Sequence, residues 1–191
     1  MCMSEKLDNT SKTVKPYLIA LPFIAIAVSI DQLSKWLATE YLKNSGSFSI
    51  IEGVFSLRYL ENRGAAFGIF YGQQVFLIII AIVFAAVIFY LYGKIPTGRR
   101  YNLLRLVHIL IVSGAIGNLI DRIRLGFVID FIFFELINFP IFNIADSYIV
   151  VACILLLLLV MFYYKDNELE YLEKRENVKI IENKTSEEQN E

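Results

Sequence analysis

Four stretches in which Ile, Leu, Val, Phe and Ala follow one another without strand-like alternation divide the chain: 17–37, 73–92, 103–123 and 145–164. Each has the roughly 20 residues that a helix needs to cross the hydrocarbon core of a bilayer. Between the first and second, SFSIIEGVFSLRY (47–59) is rich in β-branched and aromatic residues around Gly53. It predicts short strands turning at that glycine and lying at the outer membrane surface. The apolar, aromatic segment 125–142 is expected to lie along the interface, with Gly126 allowing the chain to turn. The pattern therefore predicts an all-α membrane protein with four transmembrane helices and a small β-rich extracytoplasmic element between helices 1 and 2. One membrane domain, 1–164, is followed by a charged tail, 165–191. The tail opens as a continuing helix with Glu170 and Lys174 four residues apart, and the rest lacks the apolar residues to fold.

Composition agrees with the pattern. Hydrophobic residues make up 57% of 191 and charged residues 19%, and mean hydropathy is +0.56. Soluble chains average roughly 45–50% and about 25%. A net charge of −1 offers no footprint for nucleic acid. Cys2 and Cys153 are too few for a disulfide framework and are expected to be free thiols. The first fifteen residues are polar and carry Lys6, Lys12 and Lys15. The apolar run after them is too long for a cleavable signal and is read as a retained first span. The connection 93–102 carries Lys94, Arg99 and Arg100 without an acid. By the positive-inside rule the N-terminus, this connection and the C-terminus face the cytoplasm.

The chemistry lies in charges that a membrane segment ordinarily excludes. Asp31 and Lys35, four apart near the end of the first span, share a helix face and are able to pair. They are read either as support for a site or as an orientation anchor, with Lys35 snorkelling and Trp36 in the aromatic belt. In SGAIGNLIDRIRLG the third span carries Asn118, Asp121 and Arg122 within two turns. Ser113, Gly114 and Gly117 precede them as small residues that let another helix approach. Asp130 follows among Ile and Phe, where poor solvation raises a carboxyl pKa. Asn143 and Asp146 open the fourth span, where the helix dipole favours an anion. Asp130 and Asp146 are thus expected at the outer ends of neighbouring spans. Two carboxylates there would share a proton, as an aspartyl peptidase requires, and would need no metal or other cofactor. The same residues fit a small ion- or proton-coupled membrane transport subunit, although no broken-helix pair or internal repeat is visible. They also fit a non-catalytic scaffold. His108 has no accompanying ligand and is read as inert.

Four blocks in order, D31-Q-L-S-K35-W, E-N62-R-G64-A-A-F67-G, G114-A-I-G-N118-L-I-D121-R122-I-R-L-G126-F-V-I-D130-F-I and F142-N143-I-A145-D146, resemble lipoprotein signal peptidase, or signal peptidase II. The resemblance runs from the first span through the fourth. It implies a catalytic pair of Asp130 and Asp146. It implies substrate-binding or dyad-supporting roles for Asn62, Gly64, Asn118, Arg122 and Asn143, and structural support from Asp31, Lys35 and Asp121. The implied substrate is a diacylglyceryl-modified prolipoprotein, cut just before its lipidated cysteine by a monomer working with membrane lipid. The implied place is the bacterial inner (cytoplasmic) membrane, with the site near the extracytoplasmic face. Ser113 stands where the family commonly has a further glycine, and Arg63 where it has a small polar residue. The short interval from Asp130 to Asp146 trims the outer loop.

Overall fold

Among the described residues, four helices are long and apolar enough to cross a membrane: Tyr17–Leu42, Gln74–Lys94, Arg99–Leu125 and Ile144–Tyr163. The computed structural model describes residues 3–65, 69–96 and 98–164, with side chains from Tyr17 onward. Cys2, Phe67 and the 165–191 tail with its Glu170–Lys174 pair lie outside the described residues. The elements run α1 (Met3–Leu42), β1 (Ser47–Ile51), β2 (Phe55–Asn62), α2 (Gln74–Lys94), α3 (Asn102–Leu125), β3 (Val128–Phe134) and α4 (Ile144–Leu158). A π-helical stretch, Leu159–Tyr163, follows α4. The chain divides into two compact units, Met1–Cys153 and Ile154–Glu191, and the site described below belongs to the first.

Helix ends follow local chemistry. α1 runs five residues past the predicted end of its span. The Ser34 and Thr39 hydroxyls donate back to the Asp31 and Lys35 carbonyls at 2.6 and 2.9 Å, so these polar residues continue the helix rather than break it. α3 stops at Gly126, which takes the left-handed conformation (φ 77°) and donates its N–H to the Arg122 carbonyl. α3 is the most buried of the four, and its Val107, Ser113, Gly114, Gly117, Asn118 and Asp121 are all enclosed. Much of the apolar surface of the other spans is exposed, including Phe23, Ile79, Val83 and Ile154, as lipid-facing helices require.

Two glycines bring the helices close. A Cβ on Gly114 would run into the Ala145 carbonyl and Ile149 of α4. One on Gly117 would stand 2.5 Å from Asp31 Oδ2 of α1 and 3.1 Å from Ala145 Cβ. Apolar clusters lie on either side of this crossing. Ala20, Ile24, Tyr92, Ile95, Ile109 and Val112 form one, and Ala38, Leu42, Ile129 and Phe131 form the other. On α1 the buried Asp31 and Lys35 lie between them.

The β-rich element is a three-stranded antiparallel sheet in the order β1-β2-β3. The predicted hairpin turns at Gly53, with φ 70°. The third strand departs from the expectation. It comes from the segment after α3, and it places Asp130 on a strand rather than at a helix end. The sequence concealed it because Val128 to Phe131 are all buried, which erases the alternation of a half-exposed strand. β2 and β3 pair with a one-residue shift. Leu57 lies opposite Ile132 while Leu60 lies opposite Asp130, so Arg58 and Tyr59 together face Phe131. After β3, Asn138 in the left-handed region turns the chain back, and Phe142 bonds Ile132 in both directions at 2.8 and 3.0 Å. That return sets Asn143 and the start of α4 beside Asp130.

Candidate active site

Asn143 is the N-cap of α4 and is wholly buried. Its Oδ1 accepts from the Asp146 N–H at 2.9 Å, and Asp146 Oδ2 accepts from the Asn143 N–H at 3.2 Å. This is a capping box with aspartate as the returning acid, and it fixes the Asp146 carboxylate over the first turn. Asn143 Nδ2 donates to Asp130 Oδ1 at 2.7 Å. The two carboxylates therefore share one residue as partner.

A ring of hydrogen bonds closes around the pair. Asp130 Oδ2 accepts from Asn62 Nδ2 at 2.8 Å, and Asn62 Oδ1 accepts from the Gly64 N–H at 2.9 Å. The Gly64 carbonyl accepts from Arg122 Nη2 at 3.2 Å, and Arg122 Nη1 donates to the Asn118 carbonyl at 3.4 Å. Asn118 Nδ2 returns to Asp146 Oδ1 at 2.7 Å. Asn62 reaches Asp130 diagonally across β2 and β3 because of the one-residue shift. Without it, Asn62 would project from the other side of the strand.

Beneath the pair lies a second buried set. Lys35 Nζ contacts Asp31 Oδ2 at 2.9 Å, Asp121 Oδ2 at 3.0 Å and Asn118 Oδ1 at 2.9 Å, and the residue is only 1% exposed. It does not snorkel, and the anchor reading fails for it: the ammonium has three acceptors inside the fold. Removing such a cation would leave two buried carboxylates uncompensated, at a cost of roughly 3–5 kcal/mol. Gln32, which the sequence reading passed over, donates to Asp121 Oδ1 at 3.0 Å, to the Gly117 carbonyl at 3.1 Å and to Asp31 Oδ2 at 3.2 Å. Its only signal was its place beside Asp31 in the D-Q-L-S-K block.

Every residue singled out for the site is thus brought into one connected network: Asn62, Gly64, Asn118, Arg122, Asp130, Asn143 and Asp146 around the pair, and Asp31, Lys35 and Asp121 below it. Burial pushes the Asp130 carboxyl up to about 7. The charge of Asp146 adds to the rise, and the bonds from Asn62 and Asn143 oppose it. A carboxyl that holds its proton near neutrality beside a second, helix-capping carboxylate is equipped for general acid–base chemistry.

A family model described as Signal peptidase (SPase) II matches residues 23–162. The lipoprotein signal peptidase of Caldanaerobacter subterraneus subsp. tengcongensis is 46% identical over 137 residues, covering 71% of this chain and 91% of that protein. The lipoprotein signal peptidase of Clostridioides difficile is 43% identical over 137 residues, with 72% and 90% covered. A bacterial membrane enzyme solved by the in meso method at 2.3 Å resolution superposes with a TM-score of 0.69 at 31% identity, over 78% of this chain and 92% of the other. With the family match spanning well over half of its length, this chain belongs to the signal peptidase II family.

Proposed function

We infer that the protein is an intramembrane aspartic endopeptidase. It removes the signal peptide from diacylglyceryl-modified prolipoproteins by cutting just before the lipidated cysteine, with Asp130 and Asp146 as the catalytic pair. The observation that carries this reading is the shared partner Asn143, which bonds the buried Asp130 carboxylate and the half-buried Asp146 carboxylate at once. The names of the relatives supply the substrate class. The pair holds one proton. The ionised carboxylate, favoured at Asp146 by the α4 N-terminus, takes a proton from water as the hydroxyl adds to the peptide carbonyl carbon. The protonated carboxyl, favoured at Asp130, donates to the carbonyl oxygen. Collapse of the tetrahedral intermediate breaks the C–N bond. The leaving nitrogen takes from Asp146 the proton gained from water, and Asp130 regains its own from the hydroxyl of the intermediate.

The enzyme sits in the bacterial cytoplasmic membrane with both termini cytoplasmic and the site toward the extracytoplasmic face, an orientation that the basic Lys94, Arg99 and Arg100 connection favours. It works as a monomer among membrane lipid. A largely apolar recess of about 440 Å³, lined by Leu37, Ala38 and Tyr41 of α1 with Phe48, Leu57 and Phe131 of the sheet, suits an acyl chain beside the site.

The test is cleavage of a diacylglyceryl-modified prolipoprotein peptide by purified enzyme, comparing wild type with Asp130→Asn and Asp146→Asn. Both variants are expected to fold and to lose activity by at least about 1000-fold. Full activity in either one removes the dyad. Ion or proton flux through liposomes, with no cleavage, would favour the transport reading instead.

A further inference from the structure

The oxygens of the lower buried set hold more than Lys35. Asp31 gives Oδ2 to Lys35 and Oδ1 to the backbone N–H of Ala145 at 2.9 Å. Asp121 gives Oδ2 to Lys35 and to the backbone N–H of Ile129 at 3.2 Å. Ala145 immediately precedes Asp146, and Ile129 immediately precedes Asp130. Each lower carboxylate therefore grips the main chain one residue ahead of one member of the pair. The two grips are joined twice. Lys35 Nζ lies between Asp31 and Asp121, and Gln32 Nε2 donates to both at 3.2 and 3.0 Å. A third link runs from Lys35 through Asn118, whose Oδ1 it holds and whose Nδ2 donates to Asp146.

We propose that Lys35 and Gln32 act as a calliper, fixing the distance between Asp31 and Asp121 and, through the two backbone grips, the separation of Asp130 and Asp146. This rests on the reading of Asp130 and Asp146 as the catalytic pair. α1 carries neither aspartate of that pair. Its part is to bring one ammonium and one amide to a place where two acids from α1 and α3 hold a helix start and a strand. Charged hydrogen bonds in a water-poor interior are stiff, so a change in the calliper is passed on to the pair. A misplacement of about 1 Å in a reacting constellation is enough to cost roughly 100-fold in rate. Lys35, Gln32, Asp31 and Asp121 are positioning residues in this account.

Gln32→Met is the clean test, because it removes the amide's bonds to Asp31, Asp121 and the Gly117 carbonyl at nearly constant volume and changes no charge. The variant leaves the complement of charged groups facing the pair unchanged: Lys35 and Asp31 from α1, Asp121 and Arg122 from α3, with Glu61 and Arg63 flanking Asn62. The measurement is kcat and KM per folded enzyme on the diacylglyceryl peptide across pH, with thermal unfolding in detergent in parallel. The expected result is a fall in kcat of about tenfold, with KM changed by less than about twofold. The basic limb of the kcat profile moves to lower pH, because carboxylates that stand further apart release their second proton more easily. Should Gln32→Met not fold, Gln32→Asn, which shortens the same bridge, is read in its place with the same expectation. A variant with reduced thermal stability but wild-type kcat per folded enzyme and a wild-type pH profile overturns the calliper. Asp130→Asn is run alongside. If it is inactive while Gln32→Met keeps full kcat, the calliper alone fails; if Asp130→Asn is active, the pair fails and the calliper with it.

Discussion

Asn143 Nδ2 stands 2.7 Å from Asp130 Oδ1, while the rest of the same residue closes a capping box with Asp146. One buried side chain thereby ties a strand aspartate to a helix aspartate. Asn143→Ala is expected to lower stability by about 0.5–2 kcal/mol through the lost cap. The pair would also lose its common partner, and kcat should fall by roughly 100-fold or more. Detergent unfolding and cleavage of the lipid-modified peptide read the two effects separately. A variant that loses stability but keeps full kcat would show that the bridge only caps the helix.

The Asp130 carboxyl, raised to about 7 by burial and then by Asp146, makes stability depend on pH in a defined direction. Between about pH 4 and 7 the folded state keeps a proton that the unfolded chain, with an ordinary carboxyl, releases. The folded state therefore binds more protons, and stability falls as pH rises. The favourable contribution is complete below about pH 4 and lost as pH passes 7. Asp130→Asn, which cannot ionise, should unfold at a higher temperature than wild type at pH 8 and show little difference at pH 4. The gain is at most about 4 kcal/mol. Equal unfolding temperatures for the two proteins at pH 8 would contradict a raised carboxyl at Asp130.

Much of this arrangement could be read from local spacing. The four-residue interval from Asp31 to Lys35 forecasts their ion pair, now seen at 2.9 Å. The three-residue interval from Asn143 to Asp146 is that of a capping box, and Gly53 and Gly126 stand where the chain turns. What stayed hidden depends on contacts distant in sequence. β3 lacks alternation because Val128 to Phe131 are all enclosed, and the β2–β3 register depends on an extra residue that no local pattern marks. The N–H groups held by Asp31 and Asp121 come from residues that look like ordinary apolar positions. Gln32 meets Asp121 across 89 residues of chain.

The extra residue in β2 has a functional consequence of its own. Arg58 and Tyr59 share Phe131 as their opposite number, and this puts Asn62 on the side from which it reaches Asp130. Inserting one residue between Leu60 and Glu61 would move Asn62 on by one position and turn it to the other side of the strand. The insertion is expected to lose at least as much activity as Asn62→Ala, and adding Asn62→Ala to it should bring no further loss. Additive losses in kcat from the two changes would separate the strand register from the placement of Asn62.

Gly117 tests how tightly the helices must close for the site to form. A methyl group there would meet Asp31 Oδ2 at 2.5 Å and Ala145 Cβ at 3.1 Å, and both belong to the grip on the start of α4. Neither neighbour has room to yield, since Asp31 is fixed by Lys35 and by the Ala145 N–H. Gly117→Ala is therefore expected to destabilise the protein by about 1–3 kcal/mol, the usual cost of overpacking. Activity per folded enzyme should also fall, because the displaced Asp31 carries the Ala145 end of α4 with it. Gly114→Ala pushes on the Ala145 carbonyl and Ile149 rather than on Asp31, so it should destabilise comparably while costing less activity. Thermal unfolding and single-turnover cleavage of both variants make the comparison. Equal activity losses at the two glycines would mean that general helix separation, rather than the contact with Asp31, governs the site.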